Sequence, residues 1–111
     1  MLNARWLIAL VPALALGAAV VAAQEGPLAG ERIALGREVF KDQGCYGCHA
    51  VGKFGTPIGP DLTHAGAKYS EEYVARWLQD PEAQRPSAHM PRLELTPRQV
   101  SLLAAFIASL K

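Results

Sequence analysis

The run Cys45-Tyr46-Gly47-Cys48-His49 decides how this chain is read. The 111 residues include two cysteines, and both stand in this run. In an exported chain two cysteines suggest a disulfide. Cys-x-x-Cys also suits a thiol redox pair or half of a zinc site. A thioredoxin-like fold needs strands in a βαβ pattern, and no run of alternating β-branched residues supplies them. A zinc site needs two further ligands, whereas His64 and His89 lie far apart without a second pair spacing. The histidine directly after Cys48 favours a third chemistry. Cys-x-x-Cys-His is the attachment signature of c-type haem: the two sulfurs add to the porphyrin vinyl groups, and the next residue places an imidazole beneath the iron.

Upstream of the motif the composition is uneven. Nineteen of the first 23 residues are apolar, and Arg5 is their only charged side chain. The uncharged run from Trp6 to Ala23 is broken only by Pro12 and Gly17, and Val21-Ala22-Ala23 puts small residues where a signal peptidase cuts. Residues 1–23 are therefore expected to be a signal peptide or, since the run nears the length of a membrane span, an uncleaved anchor. By the positive-inside rule, Gln24 onward ends on the periplasmic side of a bacterial inner membrane, soluble if the leader is cleaved near Ala23 and anchored if not. Residues 24–29 read as a short linker and 30–111 as one domain. Ten basic and ten acidic residues balance beyond the leader, so charge makes no case for nucleic acid or for an anionic membrane surface. A two-domain enzyme does not fit this length. A domain this small has a marginal core and needs a staple, metal or cofactor.

Periodicity predicts an all-α domain of three helices joined by irregular loops. The first runs from about Gly30 to Asp42, with Ile33, Gly36 and Phe40 on one stripe and Gly44 as terminator. Gly36 costs that helix about 1 kcal/mol relative to alanine, which asks for a packing reason. Ser70 caps the second, with Glu71 and Glu72 in its first turn and Val74, Trp77 and Leu78 on one face; Pro81 ends it. The third begins at Thr96-Pro97-Arg98-Gln99, a capping box with proline at the first helical position, and carries a stripe of Val100, Leu103, Ile107 and Leu110. Residues 50–69 and 79–95 read as loops too rich in Gly, Pro and polar groups to order themselves.

Residues 30–111 resemble the monohaem class I c-type cytochromes. The resemblance rests on Cys45 to His49, on Gly59-Pro60-Asp61-Leu62, on Met90-Pro91 and on the helix ending Phe106-Ile107-Ala108-Ser109-Leu110. The stretch Tyr73 to Pro91 is similar to small bacterial cytochromes and to haem domains fused to terminal-oxidase subunits. The fold implied is the class I cytochrome c fold, three main helices and their loops wrapped around one covalent haem c, with the first and last helices crossing where Gly36 and Phe40 meet Phe106.

What the iron can do depends on its sixth ligand: an open iron binds gases or catalyses, and a closed one changes valence. His64, His89 and Met90 are the side chains available. Met90 is the only methionine outside the leader, lies 41 residues beyond His49 and precedes Pro91, which biases it towards an extended backbone. That is where the resemblance places an axial sulfur. His89 and Met90 point opposite ways in such a loop, so one of them reaches the iron, and His89 is the alternative. His64 is expected at the surface or at a propionate edge. Resemblance further implies that Pro60 offers its carbonyl to His49 Nδ1 and that Leu62 packs on the haem. Trp77 and Tyr69 are candidates for hydrogen bonds to a propionate, with core packing the alternative for Trp77.

The implied function is one-electron transfer, iron cycling between Fe(II) and Fe(III), with Cys45 and Cys48 as thioether anchors and His49 and Met90 as ligands. The protein would then be a carrier rather than an enzyme. Its partners would be redox proteins of a respiratory chain (a terminal oxidase, reductase or dehydrogenase), met as a free carrier or as a subunit of a larger complex. An open-iron sensor or enzyme is the other reading. The membrane would be touched only through residues 6–23, if the leader is retained.

Overall fold

The computed structural model describes residues 28–111 and, ahead of them, Gly17. The leader assigned to residues 1–23, Gly17 apart, and residues 24–27 of the linker assigned to 24–29 lie outside the described residues, and Ala29 of that linker already belongs to the first helix. Helix α1 spans Ala29–Asp42, and a 3-10 turn follows at Cys45–Gly47. Strands β1 (Ala50–Val51) and β2 (Phe54–Gly55) pair antiparallel, Ala50 opposite Gly55. Then come α2 (Ala65–Lys68), α3 (Glu71–Gln79), α4 (Pro81–Gln84) and α5 (Pro97–Ser109). The three expected helices are thus α1, α3 and α5. The supposed loops are not wholly irregular: the first holds the hairpin and α2, the second holds α4.

Helices α3 and α5 start where side chains satisfy their free N–H groups, while α1 starts after Leu28 without a side-chain cap. Ser70 Oγ accepts from the Tyr73 amide at 3.1 Å, and Glu72 pairs with Arg76 one turn on at 2.6 Å. Thr96 Oγ1 accepts from the Gln99 amide at 3.1 Å while Gln99 Oε1 accepts from the Thr96 amide at 2.9 Å, a complete capping box. Pro81 does more than end α3. That helix stops at Gln79, Asp80 takes an extended backbone, and its carboxylate accepts from the Ala83 amide at 3.2 Å, so Pro81 opens α4 at its first position.

Helix α5 is the centre of the domain. Val100 and every residue from Leu102 to Ile107 are buried, a wider surface than the expected stripe, because α1, α2 and α3 all pack against it. Leu110 lies past the helix end and is half-buried. Phe40 and Leu103 are almost wholly buried, and each contributes about 1.5–3 kcal/mol. The α1–α5 crossing explains Gly36. A Cβ there would overlap the Leu102 carbonyl and come within 2.8 Å of Phe106 Cβ, so hydrogen is the only side chain that fits. One turn on, Phe40 meets Phe106 edge to face at 5.4 Å and Tyr46 at 4.8 Å. The second contact seats the cysteine motif on the core. Arg32 joins three helices: its guanidinium pairs with Glu71 of α3 and reaches the Ser101 hydroxyl of α5 at 3.1 Å. The chain end closes over α2, where the Gly66 amide donates to the Leu110 carbonyl at 2.6 Å.

Among the described residues no helix is long and apolar enough to cross a membrane.

Candidate functional site

The cysteines are set by the turn that follows α1. Gly44 has a left-handed backbone (φ +74°), and the amides of Cys48 and His49 both donate to the Cys45 carbonyl, at 3.2 and 2.9 Å. Cys45 faces the core and is half-buried, Cys48 is exposed, and the two are not bonded to each other. Burial pushes the Cys45 thiol above its usual range; the Cys48 charge adds to this and a backbone hydrogen bond opposes it. An activated redox thiol needs the reverse shift. With only a two-residue-per-strand hairpin as sheet among the described residues, this Cys-x-x-Cys does not sit in a thioredoxin-like site. Nor do three His, Cys, Asp or Glu side chains gather as a metal cluster among the described residues, so the zinc reading finds no ligand set.

His49 is held by the segment that returns past it. Its Nδ1 lies 2.8 Å from the Pro60 carbonyl. A carbonyl can only accept, so Nδ1 carries the proton, and in the neutral ring Nε2 keeps its lone pair. Among the described residues Nε2 makes no hydrogen bond. Gly59 allows the approach: its amide donates to the Cys48 carbonyl at 2.5 Å, and a Cβ would stand 2.9 Å from His49 Cε1.

The same segment is fastened to the hairpin. Leu62 donates its amide to the Ala50 carbonyl at 2.9 Å, and Thr63 Oγ1 accepts from the Gly52 amide at 2.8 Å. Asp61 Oδ1 then accepts from both the Thr63 hydroxyl and the Thr63 amide, at 2.5 and 2.8 Å. The Thr63 hydroxyl first, its amide second and the charge of His64 least hold the Asp61 carboxyl below the usual carboxylate range. In the sequence Asp61 has no role assigned beyond its place in Gly59-Pro60-Asp61-Leu62, and Thr63 has none. The signal was there, since Asp-x-Thr is a side-chain-to-backbone turn pattern.

On the other side, the adjacent residues of the second loop part company. His89 is exposed and Met90 is half-buried against the core. The Trp77 indole N–H donates to Met90 Sδ at 3.2 Å, so Trp77 is engaged with the methionine here rather than free for a propionate. Tyr69, 42% exposed, stacks on Tyr73 at 5.0 Å, and Tyr73 on Trp77 at 6.4 Å. His64 is exposed, and its Nδ1 lies 2.9 Å from the main-chain oxygen of Lys111.

Cys45, Leu62 and Met90 are therefore half-buried around one core cluster, with His49 presented by Pro60 and Gly59. This donor set fits a c-type haem: two unbonded thiols with the attachment spacing, an imidazole fixed in the tautomer that leaves Nε2 to coordinate, and one soft sulfur turned inward.

Comparison with known proteins agrees with that fit. The family model described as Cytochrome c matches residues 33–111. The chain is similar to a protein of Alkalihalophilus pseudofirmus named cytochrome c oxidase subunit 2, 33% identical over 85 residues. That alignment covers 68% of this chain and 25% of the relative, so the chain spans about a quarter of the relative's length. No solved structure matches the chain. The chain belongs to the cytochrome c family, binds haem c covalently and works by haem-based electron transfer.

Proposed function

We propose that this protein is an exported monohaem carrier whose iron is closed by His49 and Met90, with Cys45 and Cys48 as the thioether anchors. The observation that carries this reading is the inward turn of Met90 beside an exposed His89. When bound, the haem supplies a one-electron Fe(II)/Fe(III) couple. The chain's residues set its properties. Pro60 accepts the Nδ1 proton and keeps Nε2 aimed and basic. The Met90 thioether favours ferrous iron and so raises the potential, where a His89 ligand would lower it. Leu62 excludes water from the side that His49 occupies. Electrons pass between periplasmic or membrane respiratory partners, reached from the periplasmic side of an inner membrane, and the leader at residues 1–23 provides the export signal or anchor.

The visible spectrum of the oxidised protein tests the ligand set. A weak sulfur-to-iron charge-transfer band is expected in the unmodified protein and is lost in Met90→Ala. Absence of the band before mutation rejects methionine ligation. Intact mass of the native protein gives the added haem and the state of the leader together.

A second reading is favoured by the relative's name: the domain serves as the haem c part of a larger oxidoreductase complex. Gentle detergent extraction of native membranes separates the two. Haem-stained protein that migrates with an oxidase supports a subunit, and haem-stained protein no heavier than the 11.9 kDa chain with its haem supports a free carrier.

A further inference from the structure

Among the described residues four large apolar side chains are exposed, and two of them, Phe54 at 68% and Ile58 at 75%, stand in one short loop. Single apolar side chains scattered over a surface need no explanation, but a pair held beside the cysteine motif does. The loop is fastened to that motif. Gly55, at φ +97°, lies so close to His49 that a Cβ would overlap the His49 carbonyl. The Thr56 amide donates to the same carbonyl at 3.4 Å, and the Gly59 amide donates to the Cys48 carbonyl at 2.5 Å. Phe54 and Ile58, each next to one of these attachments, are thus carried to the surface where Cys48 is exposed. Neither belongs to the core cluster around which Cys45, Leu62 and Met90 gather. Charge is scarce here too. From Gln43 to Pro60 the chain has 18 residues and one charged side chain, the exposed Lys53, against 19% charged overall.

We propose that Phe54 and Ile58, with Cys48 beside them, form the face on which this protein exchanges electrons with a redox protein that presents an uncharged apolar face of its own. The proposal rests on the electron-carrier reading above and not on the choice of Met90 over His89. Electron transfer weakens steeply with distance, and Cys48 is the exposed one of the two haem anchors, so a partner seated on this loop stands at the covalent attachment. Charge fixes the kind of partner. A carboxylate set against Phe54 or Ile58 would lose its hydration without gaining a counter-charge, and Lys53 can offset one at most. Size fixes the kind of contact. Weak electron-transfer encounters bury less than about 1,200 Å², and two side chains within residues 54–58 suit such an encounter rather than a permanent joint. One electron passes to or from the partner's redox centre, and no bond or proton is exchanged.

The test uses the holoprotein and, as probes, two blue-copper proteins, one whose copper lies behind an uncharged apolar face and one that carries an acidic patch. Stopped-flow absorbance gives the second-order rate of electron exchange at ionic strengths of about 0.01 M and about 1 M, where charges are felt over about 30 Å and about 3 Å. After correction for driving force, the apolar-faced probe is expected to react faster than the acidic one and to change little with salt, whereas a steered pair gains about 10–1,000-fold at low salt. Phe54→Ser combined with Ile58→Ser should cut that rate several-fold at both salts while haem content, visible spectrum and reduction potential stay unchanged. Leu28→Ser removes an equally exposed side chain (72%) just ahead of α1 and should leave the rate as it was. An unchanged rate in the double variant overturns the face, as does an equal fall in Leu28→Ser, or a preference for the acidic probe that is lost with salt. An altered spectrum or potential in the double variant also overturns it, because the two side chains would then pack on the haem rather than meet a partner. Absence of exchange with either probe in the unmodified protein overturns the carrier reading itself, and the face with it.

Discussion

His49 Nδ1 and the Pro60 carbonyl oxygen are 2.8 Å apart, and the residue just before Pro60 cannot carry a side chain without disturbing them. A Cβ at position 59 would come within 2.9 Å of His49 Cε1 and 3.1 Å of both His49 Nδ1 and the Cys48 carbonyl. The ring or the loop must give way. Gly59→Ala is expected to cost about 1–3 kcal/mol of stability, the usual range for overpacking. It should also raise the reduction potential, because an imidazole that loses its carbonyl partner is a weaker donor to ferric iron. Potentiometric titration reads the second effect, and an unchanged potential would show that Pro60 does not tune His49.

Gly36 and Gly30 make an internal control on the same helix. Alanine at Gly36 removes the glycine penalty of about 1 kcal/mol in a helix interior, while Gly30 stands in the first turn, where less of it applies. At Gly30 nothing lies within 4 Å of a new Cβ, so Gly30→Ala is expected to be neutral or slightly stabilising. At Gly36 the new atom meets the Leu102 backbone and Phe106 Cβ, neither of which is a flexible chain end. Gly36→Ala should lower stability by about 1–3 kcal/mol in spite of the propensity gain. Urea denaturation of the pair separates packing from propensity.

These glycines also show what could be read from the chain alone. The first and last helices and the capping box of the last were legible because capping residues and helical periods are local signals, whereas their crossing at Gly36 followed from the family resemblance. The one-turn helices α2 and α4 were not, since four residues hold no period; Asp80-Pro81 is a start signal that was read only as a stop. The unbroken burial from Leu102 to Ile107 escaped the stripe because Ala104 and Ala105 are small, and a pattern does not say how many neighbours surround a helix. In the site, the motif Cys45 to His49 announced itself through spacing. The engagement of Trp77 with Met90 did not, because it joins residues 13 apart through the arrangement of α3 and the second loop.

The capping box of α5 is an N-terminal contribution that can be measured apart from burial. Thr96 and Gln99 exchange two hydrogen bonds at 2.9 and 3.1 Å, ahead of the helix on which the core is built. Thr96→Ala removes one acceptor and leaves the Gln99 amide to water, so the expected loss is about 0.5–2 kcal/mol. Thr96→Ser keeps the oxygen and should recover most of it. Thermal denaturation by circular dichroism compares the three, and equal losses for alanine and serine would mean that the threonine methyl, not the cap, matters.

Asp61 gives the loop under His49 a dependence on acid. Its folded pKa lies below the ordinary value of 3.8, chiefly through the Thr63 hydroxyl and then the Thr63 amide. For a depressed carboxylate the unfolded chain binds its proton first, so the stabilisation is fully present above the unfolded pKa and is lost as pH falls through the folded one. Asp61→Asn keeps an acceptor oxygen for Thr63 and removes the charge. The stability advantage of the native protein over this variant should therefore be constant near neutral pH, shrink as pH falls below the ordinary carboxylate value and vanish below the lowered folded one. Denaturant titration of both proteins across that range tests the sign, and an advantage that grew with acid would refute the hydrogen-bond cause. Because the Thr63 hydroxyl also accepts from the Gly52 amide, protonation of Asp61 loosens the tie between the hairpin and the Pro60 segment. Amide exchange at Gly52 and Thr63 is expected to quicken over the same pH interval, ahead of exchange in α5.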